Sequence, residues 1–163
     1  MMDTSYKITA LHDIAAKLEA VRRDKTVVFT NGCFDILHKG HVDYLQKARG
    51  LGDFLCVGLN SDASVKMIKG EKRPIVPQNE RAFVLAGLGC VDFVVIFDEP
   101  DPYNLIKTAK PDILVKGADW GKDQVIGADL VENYGGRVEL MPLVTGCSST
   151  NIIATVLERY QQC

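Results

Sequence analysis

Five short apolar runs set the limits on how this chain can fold: TVVFTN from residue 26, DFLCVGLN from 53, VDFVVIF from 91, DILVKG from 112 and RVELMPLV from 137. Each is too short to be a helix of ordinary length, and each is rich in the β-branched and aromatic residues that suit a strand buried on both faces. Helix-like segments separate them: HVDYLQKAR, then SDASVKMI with QNERAFVLAGL, DPYNLIKTAK, and DQVIGADLVENYGG, while STNIIATVLERYQ follows the last run. Ahead of the first run, Ile8, Leu11, Ile14, Ala15, Leu18 and Val21 recur at helical spacing, which predicts a leading helix over 8–23. Strands that alternate with helices pair in parallel and carry the helices on both faces. The chain is therefore expected to form one α/β domain over residues 1–163, a doubly wound parallel sheet of about five strands.

In such a sheet, ligands bind beyond the carboxyl ends of the strands. The segments just after each strand are then the informative ones: GCFDILHKGH, NSDAS, KGADW and TGCSST. The first holds two of the chain's three histidines, His38 and His41, three residues apart around Gly40. Gly32 and Gly40 let backbone approach a ligand closely. A helix start at His41 offers N–H groups and partial positive charge suited to phosphate. Both imidazoles can donate an N–H to a phosphate oxygen. Two other readings compete: the histidines cap a helix, or they chelate a metal with Asp35. A stable metal site wants a third ligand and a second shell, and the spacing matches none of the familiar metal motifs.

Further candidates follow the other strands. KMIKGEKR, residues 66–73, is a local basic cluster on a glycine-containing loop after the second strand. It is either a solvated charged loop or a strap over phosphates. Ser148, Ser149 and Thr150 open the last helix, where one of them is an N-cap and the same hydroxyls and N–H groups can receive phosphate. Net charge is −2, so the basic field of a nucleic-acid binder is missing. No apolar run approaches a membrane span, and MMDTSYK has no signal-peptide core. Five widely spaced cysteines with no CxxC pair indicate reduced thiols in the cytoplasm.

HKGH resembles the HxGH signature of the nucleotidyltransferases that share a fold with class I aminoacyl-tRNA synthetases, and GCFD resembles the G-x-F-D of their cytidylyltransferase-like branch. TNGCFDILHKGHVDYLQKAR, NSDASVKMIKGEKRP, DILVKGADW and GCSSTNII, in that order, are similar to the family of D-glycero-β-D-manno-heptose 1-phosphate adenylyltransferases. That activity occurs as a separate protein or as one domain of a fused kinase and adenylyltransferase, and the chain resembles the stand-alone form. The resemblance implies a Rossmann-like sheet of nucleotidyltransferase type. It implies transfer of an adenylyl group from ATP to a sugar 1-phosphate, releasing pyrophosphate.

Residue by residue, the resemblance makes His38, His41 and Lys69 catalytic. It places Gly32, Cys33, Phe34, Gly40, Lys116, Gly117, Asp119, Ser148, Ser149 and Thr150 on the nucleotide, and Asp62, Lys72 and Arg73 on the acceptor. Trp120 either stacks near the site or covers the sheet end. Asp62 has a helix cap as its competing role. Asp35 braces the turn, and Arg81 holds the lysine loop by an ion pair. Magnesium is implied, held through substrate phosphates and without protein ligands, as is a homo-oligomer. Leu143 and Val144 stand where cytidylyltransferases carry an arginine-threonine pair, which favours ATP over CTP. The alternatives are a cytidylyltransferase acting on glycerol 3-phosphate or a similar phosphate, and a nucleotide-binding module without turnover.

Overall fold

The computed structural model describes residues 3–118, 121, 124–142 and 144–160. Asp119, Trp120 and Leu143 therefore lie outside the described residues. The sheet contains β1 (Val27–Gly32), β2 (Phe54–Asn60), β3 (Phe93–Phe97), β4 (Ile113–Gly117) and β5 (Arg137–Met141). All four pairings are parallel, in the order β3-β2-β1-β4-β5. The order reverses between β1 and β4, which is where a doubly wound sheet opens a crevice for ligand.

Strands β1 to β4 alternate between two buried faces and β5 is a partly buried edge, so two apolar layers form. Val28, Leu55, Val57, Leu59, Val94, Ile113 and Val115 pack under α2 (Lys39–Arg49) and α4 (Gln78–Gly87), through Tyr44, Leu45, Ala48, Ala82, Leu85 and Ala86. Val27, Phe29, Cys56, Val95, Phe97 and Leu114 pack under α1 (Leu11–Arg22), α5 (Tyr103–Ala109) and α6 (Ala128–Asn133), through Ile14, Leu18, Leu105, Ile106 and Val131. Two helices remain. The short α3 (Asp62–Lys69) leads away from β2, and α7 (Ser149–Tyr160) follows β5.

Several bounds shift from the sequence expectation: α2 starts at Lys39 rather than His41, Lys69 ends α3 rather than lying on the loop, and β5 ends at Met141, short of the full RVELMPLV run. Two further shifts have a clear cause in the packing. The leading helix starts at Leu11 rather than residue 8, because Ile8 pairs in parallel with Val94 and the Thr9 N–H donates to the Val94 carbonyl at 2.8 Å. The leading segment thus satisfies backbone groups on the otherwise open edge of β3. Helix α6 spans only six residues, because Gly127 ahead of it has φ of 85° and a Cβ there would lie 2.7 Å from Cδ1 of Ile106. Only glycine fits that approach to α5, and its left-handed backbone keeps the helix from extending back. Among the described residues no helix is long and apolar enough to cross a membrane.

Candidate active site

The carboxyl ends of β1, β2 and β4 open into a cleft of about 510 Å³. Its floor is the turn after β1, from Asn31 to Asp35, continuing to His38, Gly40 and His41 at the start of α2. Ile68, Lys69 and Arg73 wall one side, Lys116 and Gly117 another, and Val144 with Cys147–Thr150 a third. Pro100, Asp101 and Pro102 after β3, with Ile126, complete the rim.

The turn is held by its own chain. Phe34 takes a left-handed φ of 41°, a conformation rare for a bulky residue, and its ring is buried against Gly32 and edge-on to His41 at 5.2 Å. Asp35 follows with its carboxylate fully enclosed. One oxygen accepts the N–H groups of Ile75 and Val76 at 2.8 and 2.9 Å, and the other accepts Arg73 Nε at 2.5 Å. Burial alone raises the Asp35 pKa, but those backbone bonds and the guanidinium outweigh it and hold the carboxyl below the usual range. Asp35 thus braces the turn against the loop that carries Arg73.

His38 is the N-cap of α2, and its Nδ1 accepts the Gly40 N–H at 3.1 Å. An accepting Nδ1 puts the proton of the neutral ring on Nε2, so capping leaves Nε2–H as the free donor of a ring in the cleft wall. The capping and phosphate-donor readings are compatible, and the Gly40 N–H is the donor already taken. His41 stacks on His38 with centroids 3.8 Å apart, and its Nδ1 is buried with no partner among the described residues. Burial pushes the His41 pKa down to about 4, with His38 adding to the fall and Asp35 opposing it. Burial also lowers His38. At neutral pH both imidazoles are uncharged hydrogen-bond donors. A Cβ on Gly40 would lie 2.9 Å from the Cys147 Cβ and 3.0 Å from His38 Cε1, so glycine is what lets α7 close on the imidazole pair.

Helix α7 meets the cleft with its first turn. The Ser148 hydroxyl caps it by accepting the Asn151 N–H at 3.0 Å, and the Ser149 hydroxyl donates to the Ile36 carbonyl at 3.2 Å. The N–H groups of Ser149 and Thr150, at the first two helical positions, have no intrahelical partner by their place in the helix. Across the sheet's switch point, Lys116 Nζ donates to Asn31 Oδ1, joining the ends of β4 and β1. Two imidazole donors, a helix start and the cations Lys69 and Arg73 thus surround one space large enough for a nucleotide. That arrangement suits an anionic polyphosphate.

The sequence matches the cytidylyltransferase-like family over residues 29–155, which takes in every one of these segments. The chain belongs to that nucleotidyltransferase family. Among its relatives is the bifunctional protein HldE of Syntrophotalea carbinolica, 63% identical over 141 residues that make up 86% of this chain and 29% of that one. Another is the bifunctional protein HldE of Pelobacter propionicus, 58% identical over 97% of this chain and 33% of that one. The chain thus spans about a third of the length of these relatives. Among solved structures, a lipopolysaccharide core biosynthesis protein from Thermoplasma volcanium is 31% identical, with a TM-score of 0.61 covering 74% of this chain and 97% of that one. A pantoate-beta-alanine ligase from Francisella tularensis shares the fold alone, at 15% identity and the same TM-score over 96% of this chain and 79% of that one.

Within this nucleotidyltransferase, most residues singled out from the sequence line the one cleft: His38, His41, Lys69, Arg73, Gly32, Cys33, Phe34, Gly40, Lys116, Gly117, Ser148, Ser149 and Thr150. Two do not. Lys72 is exposed on the loop outside the cleft lining. Asp62, also outside the lining, gives its carboxylate to Arg81 at 2.7 Å. Asp119 falls outside the described residues. Asn31, Asn60, Tyr44 and Asp101 line the cleft without having been singled out. Asn31 and Asn60 had a signal, since each ends a predicted strand on the ligand side. Tyr44 had none, because its cleft position depends on the angle of α2.

Proposed function

We propose that this nucleotidyltransferase domain joins ATP to D-glycero-β-D-manno-heptose 1-phosphate, giving ADP-heptose and pyrophosphate. The observation that carries the transfer chemistry is the stacked, uncharged His38–His41 pair facing the same cleft as Lys69, Arg73 and the start of α7. The choice of acceptor is supported by the four sequence segments similar to heptose 1-phosphate adenylyltransferases. The choice of ATP is supported by the apolar Val144 in the cleft wall, where cytidylyltransferases carry a polar pair.

A sugar phosphate has a second pKa of about 6, so at neutral pH it is already a dianionic nucleophile and needs no general base. Its oxygen attacks the α-phosphorus of ATP in line. The new P–O bond forms as the bond from the α-phosphorus to the α,β-bridging oxygen breaks, and pyrophosphate leaves with that electron pair. The protein's part is positioning and charge stabilisation. His38 Nε2–H and His41 supply donors where charge grows, and Lys69 supplies a cation. Losing one such donor costs on the order of 10²–10³ in rate. Magnesium, when bound, neutralises phosphate charge. Asp35 has its oxygens committed to Arg73, Ile75 and Val76, so it is not available to the ion. Phosphate oxygens and water are the fitting ligands.

The product of this reaction feeds lipopolysaccharide core assembly, and the reading places the protein in the cytoplasm as a homo-oligomer. The test is pyrophosphate release with magnesium, pairing ATP or CTP with the heptose 1-phosphate or glycerol 3-phosphate. Release confined to ATP with the heptose phosphate supports the reading. Release confined to CTP with glycerol phosphate overturns the substrates and keeps the mechanism. ATP binding without turnover in any pairing makes the domain a nucleotide-binding module.

A further inference from the structure

Arg81 is the largest fully buried side chain in the molecule's described residues, and it does not line the cleft. Its guanidinium has five N–H donors. Four are spent, on three separate pieces of chain. Nε donates to the Val76 carbonyl at 2.8 Å, ahead of α4. Nη1 donates to the Cys33 carbonyl at 2.5 Å in the histidine turn, and to the Asn60 carbonyl at 2.9 Å at the end of β2. Nη2 donates to the Asp62 carboxylate at 2.7 Å at the start of α3. A second brace meets the first at Val76, whose N–H goes to Asp35 while its carbonyl receives Arg81. The segment between these braces carries Lys69, Lys72 and Arg73, with Gly70 in a left-handed backbone at φ 90°.

A buried cation with one carboxylate partner is a costly feature to keep for stability alone, since apolar replacements of buried ion pairs are often as stable. This one links the two catalytic segments. We propose that Arg81, with Asp62, is a positioning residue for nucleotidyl transfer: it fixes the Lys69 strap relative to the His38–His41 turn before substrate arrives. The proposal rests on the transferase reading for its kinetic consequence, while its structural part, the tethered strap, stands without turnover. It also gives Asp62 a different task from acceptor binding. Lysine cannot replace Arg81, because one ammonium cannot span four acceptors in a planar fork.

The experiment compares the parent chain, Arg81→Lys, Asp62→Asn and the double variant. Two readouts are taken: steady-state kinetics of pyrophosphate release, and hydrogen exchange of the segment 66–77. Displacing a catalytic group by about 1 Å costs on the order of 10²-fold. Each single variant is expected to lose about 10- to 100-fold in kcat, with KM for both substrates within about 3-fold of the parent. The double variant is expected to be no worse than the poorer single, because the Asp62 carboxylate acts through its bond to Arg81. Exchange in 66–77 is expected to quicken while the amides of β1 and β2 stay protected. A rise in KM for the sugar phosphate with kcat kept, in Asp62→Asn, would return Asp62 to the acceptor site and overturn the proposal. Multiplicative losses would overturn it too. If the parent shows no turnover, the transferase reading fails by itself, and unchanged exchange in 66–77 in Asp62→Asn then refutes the tether independently. Should Arg81→Lys fail to fold, Asp62→Asn carries both readouts.

Discussion

His41 gives the most direct link between geometry and a bulk measurement. Its ring is stacked on His38, edge-on to Phe34, and its Nδ1 is buried without a partner among the described residues. Burial holds its pKa at about 4 against an ordinary 6.5. On acidification the unfolded chain therefore takes up a proton at this ring while the folded protein does not. Stability from this group is fully present above about pH 6.5 and falls as the pH drops toward 4. At about 1.4 kcal/mol per pH unit, the gap between 6.5 and 4 allows a loss of about 2 to 3 kcal/mol between pH 7.5 and 4.5. The perturbation is His41→Asn, which removes the titrating ring. Urea unfolding of parent and variant at pH 7.5, 6.0 and 4.5 gives the two slopes. The parent is expected to lose about 2 to 3 kcal/mol more than the variant across that range. Parallel slopes would show that His41 titrates normally, and with that the picture of two uncharged, desolvated imidazoles at neutral pH would fail.

Asp35→Asn leaves Arg73 without its carboxylate and is expected to cost about 3 kcal/mol by denaturant unfolding, together with much of the turnover. The pairing itself should be lost only below about pH 3.8, because the Asp35 carboxyl is held under its ordinary value, so its acid transition falls below that of His41. Gly40→Ala pushes a methyl group into the Cys147 and His38 contacts; kcat should fall about 10- to 100-fold with about 1 to 3 kcal/mol of stability, and full activity would show that α7 need not close on the imidazoles. Ile14→Ala, in the layer on the other face of the sheet from α2, should cost about 2 to 5 kcal/mol in unfolding while kcat per folded molecule stays at the parent value.

The alternation of apolar runs with amphipathic segments was enough to predict five parallel strands and their helices, because periodicity is a local property of the chain. The HKGH turn, the basic cluster at 66–73 and the serines before the last helix were legible for a related reason. Each follows a strand, and the strand's carboxyl end dictates the side on which they emerge. Where the chain has one role at a given spot, as at Gly32, Gly40 or Ser148, sequence position was a sufficient guide.

Charged residues divided differently. Lys69, Arg73, Asp62 and Arg81 all lie within a short stretch rich in charge, and nothing local separates a cleft residue from a brace. Arg81 is buried because three carbonyls and a carboxylate, 5 to 48 residues distant in sequence, converge on its guanidinium. Desolvating that charge is tolerable only when all those partners arrive together, and only the packed sheet brings them. The proton position on His38 has the same origin, since it depends on the Gly40 N–H that folding places at Nδ1. The sequence alone determined the sheet and the loops that would face ligand. The tertiary structure decided which polar groups are spent on one another and which remain for substrate, because a buried hydrogen bond is a contest among all the donors and acceptors within reach.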